Sequence, residues 1–238
     1  MSAIQGPSRD GVFKMFDRIA GRYDFLNRVL SFGMDIRWRK RVRRHLPNKP
    51  QIRLLDVATG TADLLIELSN DERVTMGNGV DPSRGMLDIG ETKLHKGRDG
   101  VDLALHLGDA HDLSDYYDQY DAVTIAFGIR NVERPVEGMT EMYKCLSPGG
   151  RLVVLEFSEP EGPLFGPFYR VYRKHLLPQI GGVISGDKEA YTYLDETITT
   201  FPCGERFLDL MRSAGFEDCK IDAMMLGAVS IYVGTKSE

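Results

Sequence analysis

Several things are scarce in this sequence, and each scarcity excludes a class of protein. The 238 residues hold three cysteines, Cys145, Cys203 and Cys219, with no Cys-x-x-Cys pair and no histidine at metal-ligand spacing. A disulfide framework or a structural zinc site is therefore not expected, whereas reduced thiols in a cytosolic chain are. Long apolar runs are missing: stretches such as Leu152 to Leu155 are far too short to span a bilayer. The first residues, MSAIQGPSRDG, are polar and carry no apolar core of a secretory signal. An excess of cations is also missing. Thirty Lys and Arg against 35 Asp and Glu leave a net charge of −5, which argues against bulk binding of nucleic acid through its phosphates. These absences place the chain in the cytoplasm, or at most peripherally at the inner face of the membrane.

What is present reads as a soluble α/β protein. Hydrophobic residues at 42% and charged residues at 27% suit a globular chain rather than a disordered one. Gly11 to Leu46 reads as helical, with Val12, Met15, Phe16 and Ile19 at helical offsets. From Gln51 short apolar runs alternate with helical patterns. Strands are expected at Ile52–Ala58, ending at Gly79-Val80-Asp81, and at Val101–Leu107, Asp121–Phe127 and Arg151–Phe157. A helical stripe of Val136, Met139, Tyr143 and Leu146 is stopped by Ser147-Pro148-Gly149-Gly150. This alternation predicts a parallel sheet with helices on both faces. A helix at Glu205–Ala214 and consecutive strands at Asp218–Ala223 and Ala228–Thr235 predict a closing antiparallel hairpin.

The most informative segment is Leu54-Leu55-Asp56-Val57-Ala58-Thr59-Gly60-Thr61-Ala62-Asp63, where a buried strand meets a helix. Open α/β sheets bind ligands at that edge. Gly60 permits close backbone approach, but only one glycine lies between Ala58 and Asp63, so the dinucleotide fingerprint G-x-G-x-x-G is absent. Asp81 ends the next strand and can accept from both hydroxyls of a ribose. Asp109, in Gly108-Asp109-Ala110, follows the third strand and can accept from an adenine amino group. Taken singly, each carboxylate reads first as a surface turn residue or helix cap. Three at successive strand ends suit a nucleoside carrying positive charge, and S-adenosylmethionine has that chemistry.

The order of these motifs, with Leu146 to Gly150, resembles the class I S-adenosylmethionine-dependent methyltransferases. Further segments narrow the resemblance to the menaquinone/ubiquinone biosynthesis C-methyltransferases, the UbiE/MenG family. They are Tyr23-Asp24-Phe25-Leu26-Asn27 with Leu30-Ser31-Phe32-Gly33 and Trp38-Arg39-Lys40, then Phe127-Gly128-Ile129-Arg130-Asn131-Val132. Gly149-Gly150-Arg151 through Leu155-Glu156-Phe157-Ser158, and Tyr193-Leu194 with Phe201-Pro202, complete the set. The likeness runs from about Phe16 to Lys236. Asp35 stands where many members have His, Ala126 where Ser is frequent, and Thr197 where Ser is usual.

The resemblance implies a Rossmann-like class I methyltransferase fold: a mostly parallel seven-stranded sheet, helices on both faces, and an antiparallel C-terminal strand. It implies one domain over 1–238, divided into an N-terminal helical lid (1–50), a cofactor-binding core (51–160), a substrate-side insertion (161–204) and a closing helix and hairpin (205–238). S-adenosylmethionine would be the methyl donor, held by Asp56, Gly60, Thr61, Asp81, Asp109 and Ala110, with no metal. The acceptor would be a polyprenylated quinol, demethylmenaquinol foremost, with the ubiquinone precursor or another small aromatic as the alternative.

A carbon acceptor must be electron-rich, which calls for a base or for a cation that stabilises a phenolate. An arginine is a fixed cation rather than a base, so Arg130 suits the second role, and Asn131 lies beside it. Tyr23 and Asp24 would come from the lid, although the residues alone favour a core tyrosine and a capping aspartate, and it is the resemblance that gives them a role. His111 is a further candidate base, and its other reading is a polar surface residue. A module that binds S-adenosylmethionine or NAD without catalysis is the remote alternative, opposed by the incomplete glycine fingerprint and by the Arg130-Asn131 pair.

Cations cluster at Arg37, Arg39, Lys40, Arg41, Arg43 and Arg44, around an apolar stripe of Trp38, Val42 and Leu46. They read as a solvated helix face or as a surface meeting anionic lipid headgroups, where each is worth about 1 kcal/mol. Phe165 to Leu177 mixes aromatics with Arg170, Arg173 and Lys174, which suits either an interfacial or a core-packed helix. Both a monomer and a homo-oligomer fit the sequence.

Overall fold

The computed structural model describes residues 9–160, Gly166 and residues 197–238. Its strands are β1 (Ile52–Val57), β2 (Val74–Asp81), β3 (Asp102–Leu107), β4 (Tyr120–Ala126), β5 (Leu146–Phe157), β6 (Glu217–Met224) and β7 (Val229–Thr235). They form one sheet in the order β3-β2-β1-β4-β5-β7-β6. The pairs among β1 to β5 are parallel, and β7 runs antiparallel to both β5 and β6. The expected seven-stranded, mostly parallel sheet is thus present, with β7 inserted between β5 and β6. The order reverses between β1 and β4, so a crevice opens at the carboxyl ends of those strands.

The helices are α1 (Arg9–Leu30), α2 (Met34–Val42), α3 (Asp63–Ser69), α4 (Arg84–Glu91), α5 (Pro135–Cys145) and α6 (Glu205–Ser213). The two faces of the sheet bury separate cores. Leu55, Val57, Leu152 and Val154 pack with Met139 and Met142 of α5 and with Phe207 and Met211 of α6. Ile52, Leu54, Val153 and Leu155 pack with Trp38 and Val42 of α2 and with Leu64, Leu65 and Leu68 of α3. Strands covered on both faces read as continuous apolar runs, which is why β1, β4 and β5 are plain in the sequence.

Three expectations need correction. The helical stretch over 11–46 breaks at residues 31–33, where Phe32 (φ 53°) and Gly33 (φ 73°) take left-handed backbone and Gly33 N–H donates to the Arg28 carbonyl at 2.8 Å. A glycine just past a helix end closes it in this way. Second, Ser147 to Gly150 does not merely stop α5. The helix ends at Cys145, Leu146 already pairs with Tyr120, and these residues head β5, whose register shifts before Ala122. Third, Arg39 is no surface cation: it is buried, as are Asp35, Trp38 and Val42 of the same helix. Of the stretches singled out in the sequence, Tyr193-Leu194 and, apart from Gly166, Phe165 to Leu177 lie outside the described residues.

Asp35 ties α1 to α2. It is 2% exposed and accepts from Arg28 Nη1 at 2.7 Å, Arg39 Nη1 at 2.5 Å and Ser31 Oγ at 2.8 Å. Removing one partner of a buried ion pair strands the other charge, at a cost of about 3–5 kcal/mol. Asp35→Ala is therefore expected to lower the unfolding free energy by about 3 kcal/mol, because Asp63 remains 3.8 Å from Arg39 and softens the loss. Arg84→Ala, which breaks an exposed pair with Asp88, should leave stability nearly unchanged. Urea denaturation of the two variants compares them, and similar midpoints would show that Asp35 ties nothing.

Candidate functional site

The turn between β1 and α3 is built from unusual backbone. Ala58 (φ 52°), Gly60 (φ 57°) and Ala62 (φ 63°) are all left-handed. The alanines carry a Cβ that resists this conformation, so the turn must be held from outside. Asp56, at the end of β1, accepts from Thr59 Oγ1 at 2.7 Å and from Thr124 Oγ1 at 2.5 Å. Asp81, at the end of β2, accepts from Gly60 N–H at 2.7 Å and from Ser83 N–H at 2.8 Å. Opposite the turn, a Cβ on Gly128 would lie 2.7 Å from the Ala58 Cβ, so only glycine allows the loop after β4 to approach this closely.

Burial pushes both carboxylates up to about 6, against the two threonine hydroxyls at Asp56 and the two backbone N–H donors at Asp81. Both are still mainly ionised at neutral pH, so two negative charges are held nearly out of water.

Around this turn lies a cleft of about 740 Å³, open to solvent, bordered by Tyr23, Gly60, Asp81, Asp109, Ala110 and Asn131 among others. Its apolar wall includes Met86, Phe127 and Val132. A smaller recess of about 350 Å³ shares Tyr23, Gly60 and Phe127 with it and adds Asp56, Thr61, Arg39 and Asp63. The two spaces meet at Gly60. One end offers carboxylates and apolar walls to a nucleoside. The other offers a buried cation beside carboxylates, the complement of an amino-acid zwitterion. S-adenosylmethionine has both ends, so the residues present fit it.

Nine of the eleven residues singled out in the sequence border these two spaces: Tyr23, Asp56, Gly60, Thr61, Asp81, Asp109, Ala110, His111 and Asn131. Asp24 and Arg130 do not. Asp24 accepts from Thr61 Oγ1 at 2.5 Å and from Lys93 Nζ at 2.7 Å, so it latches α1 onto the turn. Arg130 is buried against Glu156, with Nη1 2.6 Å from Oε1. His111 donates from Nδ1 to Asp109 at 2.8 Å, while its Nε2 accepts from the Arg134 N–H at 3.3 Å. Both ring nitrogens thus have partners within the protein. Desolvation raises the Tyr23 phenol above its usual value, against its hydrogen bond with Asn27, so it stays protonated at neutral pH.

Reasoning from the sequence missed Arg39, Asp63 and Lys93. Lys93 bridges Asp24 and Asp63 at 2.7 Å each. Burial alone would raise Asp63, but Arg39, Lys93 and Arg28 outweigh it and hold its carboxyl below the ordinary range. A signal for Arg39 did exist. Asp35, Trp38, Arg39 and Val42 follow the spacing of a buried helical stripe, and the two charges sit four residues apart as an ion pair would.

A model of the ubiE/COQ5 methyltransferase family matches residues 5–236. The protein named demethylmenaquinone methyltransferase from Deinococcus radiodurans is 43% identical, over 94% of this chain and 92% of its own length. The ubiquinone/menaquinone biosynthesis C-methyltransferase UbiE of Geotalea daltonii is 40% identical, over 94% of this chain and 95% of that protein. Among solved structures, an S-adenosylmethionine-dependent methyltransferase from Thermotoga maritima superposes with a TM-score of 0.65 at 21% identity, covering 94% of this chain and 99% of the other, a likeness of fold. The chain belongs to the ubiE/COQ5 methyltransferase family.

Proposed function

We propose that this chain moves the methyl group of S-adenosylmethionine to a ring carbon of a polyprenylated quinol, with demethylmenaquinol as the acceptor. Near full-length similarity to relatives named for quinone-ring methylation carries the reading. The name of the Geotalea relative favours a second acceptor, the benzoquinol precursor of ubiquinone.

When bound, the donor supplies a methyl group already activated on sulfur, and the protein's task is alignment in a dry space. Alignment of that kind is worth roughly 7–11 kcal/mol. Asp81 would accept from the ribose hydroxyls, and Asp109 and Ala110 would hold the adenine. Arg39 would hold the carboxylate of the amino-acid end and Asp56 and Asp63 its ammonium, with Thr61 holding the turn between. Tyr23 borders both spaces and bridges donor to acceptor as a neutral hydrogen-bond donor. Asn131 orients the acceptor ring, Asp24 keeps the lid helix closed, and Arg130 supplies the positive charge that favours a phenolate.

A polyprenylated acceptor is met at a lipid surface. No helix among the described residues is long and apolar enough to cross a membrane. Arg41 is tied to Asp222 and Arg43 to Glu67, which leaves Arg37, Lys40 and Arg44 on the exposed side of α2 and the turn that follows it. These three, with the exposed Phe32 and Ile36 nearby in the chain, make the face that contacts anionic headgroups.

Purified protein incubated with labelled S-adenosylmethionine and reduced demethylated quinols should label demethylnaphthoquinols. Donor binding with no label in any quinol would sink the assignment. Asp81→Ala should weaken donor binding at least about 30-fold, since each hydrogen bond to a charged group is worth about 1.5–3 kcal/mol. Calorimetric titration would read the affinity, and unchanged binding in a folded variant removes Asp81 from the site. The pH dependence has a definite sign. The charged form of Asp81 is the acceptor and its pKa is about 6, so donor affinity should fall as pH drops through 6. Asp81→Asn should flatten that dependence to the part carried by Asp56, and a parallel slope in both proteins would refute it.

A further inference from the structure

Two sequence motifs that are 26 residues apart meet in one contact: Arg130 Nη1 and Glu156 Oε1 lie 2.6 Å apart, with both side chains more than nine-tenths buried. The contact is end-on, and it leaves Arg130 Nε and Glu156 Oε2 buried with no hydrogen-bond partner among the described residues. Natural structures seldom tolerate such orphans, and those that persist call for a ligand, a water or a catalytic role. The two orphans are one donor and one acceptor, which is what a hydroxyl group needs.

The pair also stands beside the cleft. Glu156 lies at the carboxyl end of β5 and Arg130 just after β4, next to Asn131, which lines the cleft. The Arg130 guanidinium sits 5.4 Å over the Phe157 ring, and Phe157 packs at 4.6 Å on Phe127, which forms the cleft wall. Arg130 is also close enough to Tyr23 to act on its phenol electrostatically. Other acids in or near the cleft have partners of their own, Glu133 among them. Asp56 is held by two threonines, Asp81 by two backbone N–H groups, Asp24 by Thr61 and Lys93, and Asp109 by His111.

We propose that Glu156 is the base that takes the phenolic proton of the acceptor, and that Arg130 then holds the resulting phenolate; this rests on the quinol methylation proposed above. The O–H bond breaks, Glu156 Oε2 gains the proton and becomes a neutral acid, and the oxygen's negative charge is stabilised by Arg130. The phenolate's electrons form the new C–C bond from the ring carbon to the methyl group, and the C–S electron pair leaves with the sulfide. The ring carbon then loses its own proton to water, and Glu156 returns the borrowed proton to the ring oxygen. One proton is released per methyl transferred, and the carboxylate is regenerated.

Burial raises the Glu156 carboxyl above its ordinary value, against Arg130 and the Phe157 and Arg130 N–H groups, and that direction makes it a stronger base. Arg130 is the charged group in contact with it, so wild-type kcat should climb through the Glu156 titration and then level off.

The test compares the wild type with Glu156→Gln and Glu156→Asp, under anaerobic conditions, with a demethylated naphthoquinol. Glu156→Gln should bind S-adenosylmethionine as the wild type does but lose at least about 100-fold in kcat at neutral pH, the scale of a general base. Its residual rate should rise tenfold per pH unit, with no levelling below the titration of the free phenol. Glu156→Asp should retain the wild-type shape of the profile at a lower kcat. A kcat loss with an unchanged profile would mark Glu156 as structural only, and wild-type turnover in Glu156→Gln would overturn the proposal directly.

A binding readout needs no variant. 1-Naphthol bound to the wild type should show phenolate absorption well below its free titration, and its absence anywhere between about pH 6 and 9 sinks the inference even if the variants misfold. Failure of the wild type to methylate any quinol would instead count against the functional reading.

Discussion

The Asp81 carboxylate accepts the Gly60 N–H at 2.7 Å with one oxygen and the Ser83 N–H at 2.8 Å with the other, joining the turns that follow β1 and β2. The first of these turns holds two alanines in left-handed backbone, a conformation that costs of order 1–3 kcal/mol per residue unless the surroundings impose it. The second leads into α4, whose first turn is capped by Ser83 Oγ. A single buried charge therefore fixes the shape of the cleft floor from both sides. Protonating that charge weakens the floor, and under the proposed function the donor contact with it. Asp56 repeats the device one strand away, with threonine hydroxyls in place of backbone donors.

The N-terminal helix reads both turns at once. Asp24 of α1 takes the Thr61 hydroxyl on the first, and Asp17 takes the Ser83 hydroxyl at 2.5 Å and the Gly85 N–H at 3.0 Å on the second. The position of α1 over the cleft is thus set by hydrogen bonds to the elements that shape it. Lys93 completes the arrangement by joining Asp24 to Asp63, and Asp63 in turn lies within 4 Å of Arg28 and Arg39. Helix α1, the turn and the basic helix α2 form one connected set of charges.

The sheet was legible because strands buried on both faces announce themselves as apolar runs, and because turn residues punctuate them. The insertion of β7 between β5 and β6 was not: a hairpin pattern says that two strands pair, and says nothing of which one meets the rest of the sheet. Helix α4 was also silent, since its buried face is carried by Met86, Leu87 and Gly90 alone. At the site, the strand-end carboxylates could be found because topology places them. Their partners could not. The contacts Asp24–Thr61 and Lys93–Asp63 span 37 and 30 residues, and no local spacing encodes them. Arg39 was hidden for a different reason: among six neighbouring cations, a charge count makes the buried one look like the rest.

Arg39 also shows why a net charge of −5 describes so little of this molecule. Several charges that define the site are internal and pair with one another, leaving the surface balance almost untouched. Arg130 and Glu156 are the extreme case, since they cancel in any count. A buried ion pair is a poor source of stability, because desolvating two ions consumes most of what their attraction returns, and apolar residues of similar volume would do as well. A pair that also leaves one donor and one acceptor unsatisfied is worse still. Stability alone therefore does not explain why a strand end and a neighbouring loop bring these two residues together beside the cleft. A reaction that must remove a proton and then hold a negative charge explains both members of the pair.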